Sequence, residues 1–599
     1  FRYEFTGALR YVKSTREHQV TENANMAEAY RAAGTATIAQ NNKFLYRDPD
    51  DPEAEPVVVL PYGGFYNRAE DFLLSYDFRN SVNYSTVVNE KHSVNLLGGM
   101  QVKSADRQNF SNTGYGYQYD NGGLPAPDYR ILKQTIESNF PYYEMGKDYD
   151  RFVAFYATGN YTFNSKYNFT ATGRYDGSNR LGKSSTARWL PTWSVAASWN
   201  VDRESFMRDV DWLDNLLFRA SYGLTASMGP ANNSNVVLRS INANRPYLSE
   251  RESVIQLASL ENSELTWEKS YTANIGIDAT LLDRRLNVSI DVYQRKSFDL
   301  ISIIKTSGIG GEAYKAANYA DMNSWGSELL LGGEIVRGRN WGWKSSLTVG
   351  YNENQITNAK NIPDIFSLVV AEGGNKEGYP VRSLFSINYK GLDHNTGIPQ
   401  FVDENGKTAA AVYLQDQKTE HLVYEGPVDP PLNGGFSNTF HYKAFSANIF
   451  ITYQAGNKIR LYPAFKTYYS DLDAMPREFN DRWVLPGDEL LTNVPSIVEA
   501  FEAAQLNAAY PYNNYNYSTQ RVAKGDFIRL KTVSLSYQLS ANTIQRIGFN
   551  SVSFTATAAN LWLIYADKKL KGQDPEFFNS GGVAQPIQKQ ITLSVKLGI

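Results

Sequence analysis

The stretch from Tyr167 to Trp199 constrains the fold of this chain more than any other. Tyr167, Phe169, Ala171, Gly173 and Tyr175 fall on one parity and Asn168, Thr170, Thr172 and Arg174 on the other. After a polar link, Trp193, Val195, Ala197 and Trp199 alternate with Ser194, Ala196, Ser198 and Asn200. A period of two residues means two strands, each with an apolar or small face and a polar face. The aromatics stand at the ends of the apolar face, where a membrane strand meets the headgroup layer. The polar face holds nothing able to form a core. A single pair with this pattern also fits a soluble hairpin with one buried face, so the decision rests on repetition. A chain that repeats it is apolar outside and polar inside, the inverse of a soluble sandwich.

The pattern does repeat. Strands are expected at 1–13, 72–86, 91–103, three times within 151–200, and at 216–223, 271–280, 286–295, 324–336, 343–351, 441–453, 527–539, 552–561 and 591–599. LLDRR makes a tight turn before Leu286, and a short helix is expected from Asn25 to Arg31. The total is about 16 strands of roughly 9 to 13 residues, with short connections on one side and long ones on the other, as in outer-membrane barrels. A propeller would show a fixed blade period, and none is visible. No run approaches the roughly 18 apolar residues of a membrane helix, so a bilayer is crossed in strands if at all. The expected fold class is therefore all-β, a transmembrane antiparallel β-barrel.

Charge and special residues exclude several function classes. Lys and Arg total 59 against 62 acidic residues, a balance that suggests no nucleic-acid partner. Zero cysteines remove disulfides, thiolate metal sites and cysteine nucleophiles together. The five histidines have no short metal-ligand spacing, no GxSxG turn is present, and GIGGEA at 308–313 lacks the Lys and Ser/Thr of a phosphate loop. No enzyme, metal or cofactor is expected. The acidic run DPDDPEAE from Asp48 to Glu55 could supply oxygen ligands to calcium, but its prolines and irregular spacing favour a solvated loop. The chain opens directly into strand-like sequence at Phe1, which suggests a removed leader or a piece of a longer protein.

Several stretches, in order, resemble SusC/RagA-type TonB-dependent outer-membrane transporters. They are EKHSVNLLGG at 90–99, RYDGSNRLG at 174–182, RWLPTWSVAASW at 188–199, FRASYGLT at 218–225 and NSELTWEKSYTANIGID at 262–278. They continue with GYPVRSLFSINYKGLDHNTGIPQFVDENGK at 378–407, LNGGFSNTFHYKAFSANIF at 432–450, YQAGNK at 453–458, GDFIRLKTVSLSYQL at 525–539 and KGQDPE at 571–576. The resemblance implies that residues 1–599 are the C-terminal part of such a transporter's barrel with long extracellular loops. The complete family barrel has about 22 strands, with a plug and energy-coupling box upstream that this chain lacks. It also implies active import of an oligosaccharide or peptide across the outer membrane, with a SusD-like lipoprotein and with TonB-ExbB-ExbD acting through the plug. A passive porin or a surface receptor or adhesin is the alternative.

Recognition is expected in the long loops, 104–148, 226–262, 360–380 and 455–524, because a rigid scaffold usually displays it there. The ligand- or partner-binding candidates are Tyr117 and Tyr119 in GYGYQYDNGG, with Tyr468, Tyr469, Trp483, Tyr510, Tyr512, Tyr515 and Tyr517. Their rings can stack on sugars or grip peptide, and contact with the lipoprotein or packing within the loop stands beside that reading. NDRWVLPGDEL at 480–490 reads as an ordered element. Asp403 to Gly406 reads as hairpin chemistry rather than catalysis.

Overall fold

Sixteen strands form one antiparallel sheet in chain order. They are β1 (Arg2–Val20), β2 (Gly64–Val88), β3 (His92–Tyr117), β4 (Tyr143–Phe163), β5 (Tyr167–Ser178), β6 (Trp189–Asn200), β7 (Leu213–Ser227) and β8 (Glu268–Leu281). The rest are β9 (Leu286–Lys305), β10 (Tyr314–Arg337), β11 (Trp341–Ala359), β12 (Leu432–Tyr442), β13 (Phe445–Ala455), β14 (Phe527–Gln538), β15 (Ser551–Ala566) and β16 (Gln590–Gly598). The computed structural model describes residues 1–599 except 33, 36–41, 47, 49–50, 52, 126, 138–141, 182–184, 230–235, 245–250, 263–264, 306–313, 468, 470–474, 541–543, 545–548, 578–587 and 599.

The parity of Tyr167–Trp199 is the parity of the wall. Phe169, Ala171, Gly173 and Tyr175 are exposed on one face of β5, while Thr170, Thr172, Arg174 and Asp176 between them are half-buried on the other. On the exposed face, Phe163, Tyr167, Trp199 and Phe218 stack across four strands at centroid distances of 6.4, 6.4 and 6.2 Å. A second row, Tyr222, Tyr271 and Phe298, lies nearer the other end at 5.8 and 5.6 Å. The rows bracket an apolar band as interfacial aromatics do. On the opposite face polar groups satisfy one another. Asn168 donates to Ser198 Oγ at 3.1 Å, and Arg219 bridges Asp278 at 2.7 Å and Asp291 at 2.9 Å. Gly276 lets those side chains meet, since a Cβ there would lie 2.6 Å from Asp291 Oδ1 and 2.8 Å from Arg219 Cζ.

Tight turns occupy one end of the sheet. At Asn89–Glu90 and Asn164–Ser165 two successive residues take positive φ, the backbone of a two-residue hairpin whose twist matches its strands. Leu282, Asp283 and Arg284 do the same in the LLDRR turn. The other end carries the long connections, 21–63, 118–142, 228–267, 360–431, 456–526 and 567–589 among them.

The structure corrects three expectations. The sheet is open and is not a closed barrel. β1 pairs with β2 alone and β16 with β15 alone, so both end strands keep a free edge. Alternation reports which face a residue takes and is silent about whether the first and last strands meet. Second, several strands run longer than 9 to 13 residues, with 25 in β2 and 26 in β3, while others such as β5 and β13 keep to 12 and 11. The expected loop 104–148 is strand as far as Tyr117 and again from Tyr143. There the ladder is held by cross-strand ion pairs, Arg107 with Asp150 and Arg151 with Asp106, which leave no apolar alternation to read. Third, the single strand expected at 441–453 is a hairpin turning at Lys443, whose φ is 51°.

The insertions 360–431 and 456–526 are not separate loops. Ile365, Leu368, Phe385 and Phe401 from the first pack with Phe465, Phe479 and Tyr515 from the second in one buried core. Arg460 bolts the two together. It is 2% exposed and donates to the carbonyls of Val369 at 3.0 Å, Ser518 at 2.8 Å and Phe385 at 2.6 Å. Burial lowers its guanidinium to about 9, so it is cationic at neutral pH. Arg460→Met removes the shared donor from the Val369 and Phe385 carbonyls and leaves the Ser518 carbonyl only the Arg521 amide at 3.0 Å; each buried group left unsatisfied costs about 1–3 kcal/mol. We expect hydrogen-exchange protection to fall across both insertions while β2–β5 keep theirs, with Arg460→Lys recovering only part. Unchanged protection in Arg460→Met would show that the core holds without the bolt.

Candidate functional site

The aromatic run at 510–517 lies in the helix Ala509–Asn516 and the residue after it. Successive helical positions turn through the lobe, so only some rings reach solvent. Tyr510 is 64% exposed, whereas Tyr512 and Tyr515 are 1% and 3% exposed. Tyr512 donates to the Ser496 carbonyl and lies 3.2 Å from the Ser496 hydroxyl. Tyr515 packs on Phe465 at 4.9 Å and Tyr389 at 5.8 Å. Burial pushes both phenols up to about 12. Tyr517 is half-buried, edge-on to Phe366 at 5.9 Å. The asparagines between them imitate backbone. Asn514 exchanges two hydrogen bonds with the Val412 main chain at 2.9 and 3.0 Å. Asn516 does the same with Phe465 at 3.1 and 2.9 Å. The geometry makes this run chiefly a joint between insertions, with Tyr510 as its exposed ring.

NDRWVLPGDEL is an ordered turn built on two carboxylates. Asp488 Oδ2 accepts from the Val484 and Leu485 amides, both at 2.9 Å. Glu489 accepts from the Gly487 amide at 2.8 Å and from Trp483 Nε1 at 3.2 Å, and pairs with His394 at 2.7 Å. Trp483 is buried, with Gly397 against its indole, where a Cβ would come within 2.4 Å. Two segments that look unrelated in sequence, GLDHNTG and NDRWVLPGDEL, therefore meet. Asp403 caps its hairpin by accepting from the Asn405 and Lys407 amides at 2.9 and 2.8 Å.

Tyr117 and Tyr119 lie beside a second loop cluster around Phe44, Phe65 and Tyr115. Tyr117 stacks on Tyr66 at 5.1 Å and meets Tyr119 edge-on at 4.7 Å, while Tyr119 donates to the Phe65 carbonyl at 2.9 Å. Both are half-buried. Tyr469 donates to the Ala464 carbonyl at 2.6 Å, and Tyr468 lies outside the described residues. The structure thus divides the candidates between two loop clusters and does not gather them into one site.

A cleft of about 900 Å³ opens where the lobe formed by the two packed insertions faces the turn after β15, between Leu461–Ala464, Met475–Asp481 and Lys569–Gln573. The KGQDPE segment at its edge is tied to the wall, because Arg529 on β14, 3% exposed, pairs with Asp574 and, at 2.7 Å, with Glu576. These charged residues carry no sequence signal, since a lone Arg between apolar neighbours, as at 460 or 529, reads like any strand position. Among the described residues no group of three His, Asp or Glu could hold a metal ion, and part of the run from Asp48 lies outside them.

The Glu489 contacts, His394 foremost, hold its carboxyl down at about 2. A depressed acid adds stability that is complete above the unfolded value near 4.3 and fades as pH falls toward the folded one. We expect protection of the Gly487 amide to drop between roughly pH 4 and 2. Glu489→Gln should be less protected at pH 7 and nearly flat with pH. A wild-type profile with no drop in that window would show that Glu489 does not brace the turn.

A family model described as TonB dependent receptor-like, beta-barrel, matches residues 2–561. The TonB-dependent receptor P39 of Formosa agariphila is 26% identical over 95% of this chain and 57% of its own length. The TonB-dependent receptor SusC of Bacteroides thetaiotaomicron is 25% identical over 91% and 52%. This chain spans about half the length of these curated relatives. Among solved structures, the RagAB peptide transporter superposes with a TM-score of 0.72 at 22% identity, covering 89% of this chain and 56% of that one. The RagAB peptide importer in its closed-closed state gives 0.74 at 20% identity, covering 99% and 62%. With a two-faced sheet, tight turns at one end and packed loop clusters at the other, the chain belongs to the TonB-dependent receptor family of the outer membrane, whose β-barrel model it matches.

Proposed function

We propose that residues 1–599 act as one unit, the C-terminal wall and extracellular loops of a TonB-dependent importer that takes oligosaccharides or peptides across the outer membrane. A SusD-like lipoprotein holds substrate over the loop end, and TonB-ExbB-ExbD supplies energy through a plug. The observation that carries this reading is the family match over residues 2–561. The sheet adds support, because its polar face is laced with paired side chains such as Arg219, Asp278 and Asp291. Such a face suits contact with hydrophilic cargo or a polar insert rather than with lipid. The exposed rings available to cargo or lipoprotein include Tyr510 and Tyr462. Tyr117, Tyr119 and Tyr517 are half-covered second candidates, and Tyr512, Tyr515 and Trp483 support them from within.

Cells carrying the full-length protein and its lipoprotein should accumulate a labelled oligomer of the preferred class. Accumulation should stop when a protonophore collapses the proton-motive force. Uptake indifferent to the protonophore would overturn active import and leave a passive porin or receptor. Tyr510→Ala with Tyr462→Ala should weaken binding by about 2 kcal/mol or more if the rings are hot spots, measured by calorimetry on the purified complex.

A further inference from the structure

The cleft between the lobe and the turn after β15 is lined by four cations, Arg477, Arg521, Lys569 and Lys571, and by two acids, Glu478 and Asp481. One of those acids is spent, because Glu478 pairs with Arg521 at 3.1 Å. Lys569 donates to the Val522 carbonyl at 3.1 Å. Arg477 and Lys571 are exposed and make no ion pair among the described residues. Arg521 is built in. It is 6% exposed, its guanidinium lies 4.6 Å from the Phe465 ring centroid, and it donates to the Tyr462 carbonyl at 3.1 Å. Its Nε–H is buried with no acceptor among the described residues, a donor open to a ligand oxygen.

The opposite rim is held in an unfavourable conformation. Lys571 has φ 52°, followed by Gly572 at 85°, in the left-handed region that residues with a long side chain rarely occupy. What enforces it is a set of ties on both sides of the turn, with Arg529 and Asp574 buried among them. Arg529 grips Asp574 and Glu576 on one side of Lys571. On the other, Asp567 accepts from the Lys569 and Lys524 amides at 2.9 and 2.8 Å. Backbone strain of this kind persists where the surroundings over-determine it, and it clusters at ligand clamps. Here the clamped turn presents Lys571 at the cleft. At about 900 Å³ the cleft is large enough for an oligomer of a few units.

We infer that this cleft binds an acidic oligomer through its carboxylates, with Arg477 and Lys571 as the charged contacts and Asn480 and Gln573 available to its neutral hydrogen-bonding groups. The inference rests on the importer reading and narrows its substrate to the acidic members of the two classes. Uronic-acid glycans and glutamate-rich peptides share the chemistry required.

The test uses the full-length protein purified in detergent, with an oligogalacturonide and an oligoglutamate as acidic probes and a neutral cello-oligosaccharide and an oligoglutamine as matched controls. Binding in detergent needs no energy coupling, so this experiment can fail while protonophore-sensitive uptake stands, and the reverse. The variant is Arg477→Gln with Lys571→Asn, since Asn tolerates the left-handed turn. An unchanged unfolding midpoint serves as its fold control. We expect at least one acidic probe to bind, its neutral control not to, and the double variant to bind roughly tenfold more weakly or worse. Preference for one acidic probe assigns the source. Equal binding of acidic and neutral probes, no binding of either acid, or an undiminished affinity in the double variant would overturn the inference.

Discussion

Everything in this structure follows from one requirement: a strand crossing hydrocarbon must give each backbone N–H and C=O to a neighbouring strand. Wall strands adjacent in sequence are therefore adjacent in space, from β1 to β16 without a crossover. Side chains are then free only to choose a face, and their period of two makes that choice for all of them together. Phe169 and Trp199 take the outer face while Asn168 and Ser198 take the other, where they hydrogen-bond to each other at 3.1 Å. The same requirement sets the asymmetry of the ends. Tight turns such as Asn164–Ser165 close hairpins at one end, and insertions accumulate at the other.

Away from the hydrocarbon the chain solves a different problem, that of giving long insertions a fixed shape without a sheet to lie in. It does so with small shared cores closed by buried arginines. Arg460 draws the carbonyls of Val369, Phe385 and Ser518 onto one guanidinium. Arg529 does the comparable work between β14 and the turn at 574–576. A planar group with five donors suits both tasks better than an ammonium would. Asn514 and Asn516 add amide pairs that stand in for strand hydrogen bonds where no strand exists. The loop end is in consequence a preorganised surface, which lowers the ordering cost of binding.

The sheet leaves the outward edges of its first and last strands unpaired. Both end strands are largely exposed along their length, and closing a barrel requires strand number, tilt and shear to agree. Family membership and the 16-stranded open sheet are both properties of this chain.

The sequence by itself determined the strand-by-strand alternation, the facing of residues such as Phe169 and Arg174, the helix at Asn25–Arg31 and the LLDRR turn. Each is set by neighbours within a few positions, so each can be read locally. It also marked KGQDPE, GLDHNTG and NDRWVLPGDEL as distinctive, without saying what they touch. Only the tertiary structure decided that Gly397 lies against Trp483, that Asp574 belongs to Arg529, and that Tyr512 and Tyr515 are buried while Tyr510 is not. Those facts depend on partners far apart in the chain, as Tyr389 is from Tyr515, and a tyrosine carries no sign of which way its helix will turn it. Sheet closure was invisible for the same reason. An edge is a relation between the two most distant strands, and no local pattern encodes it.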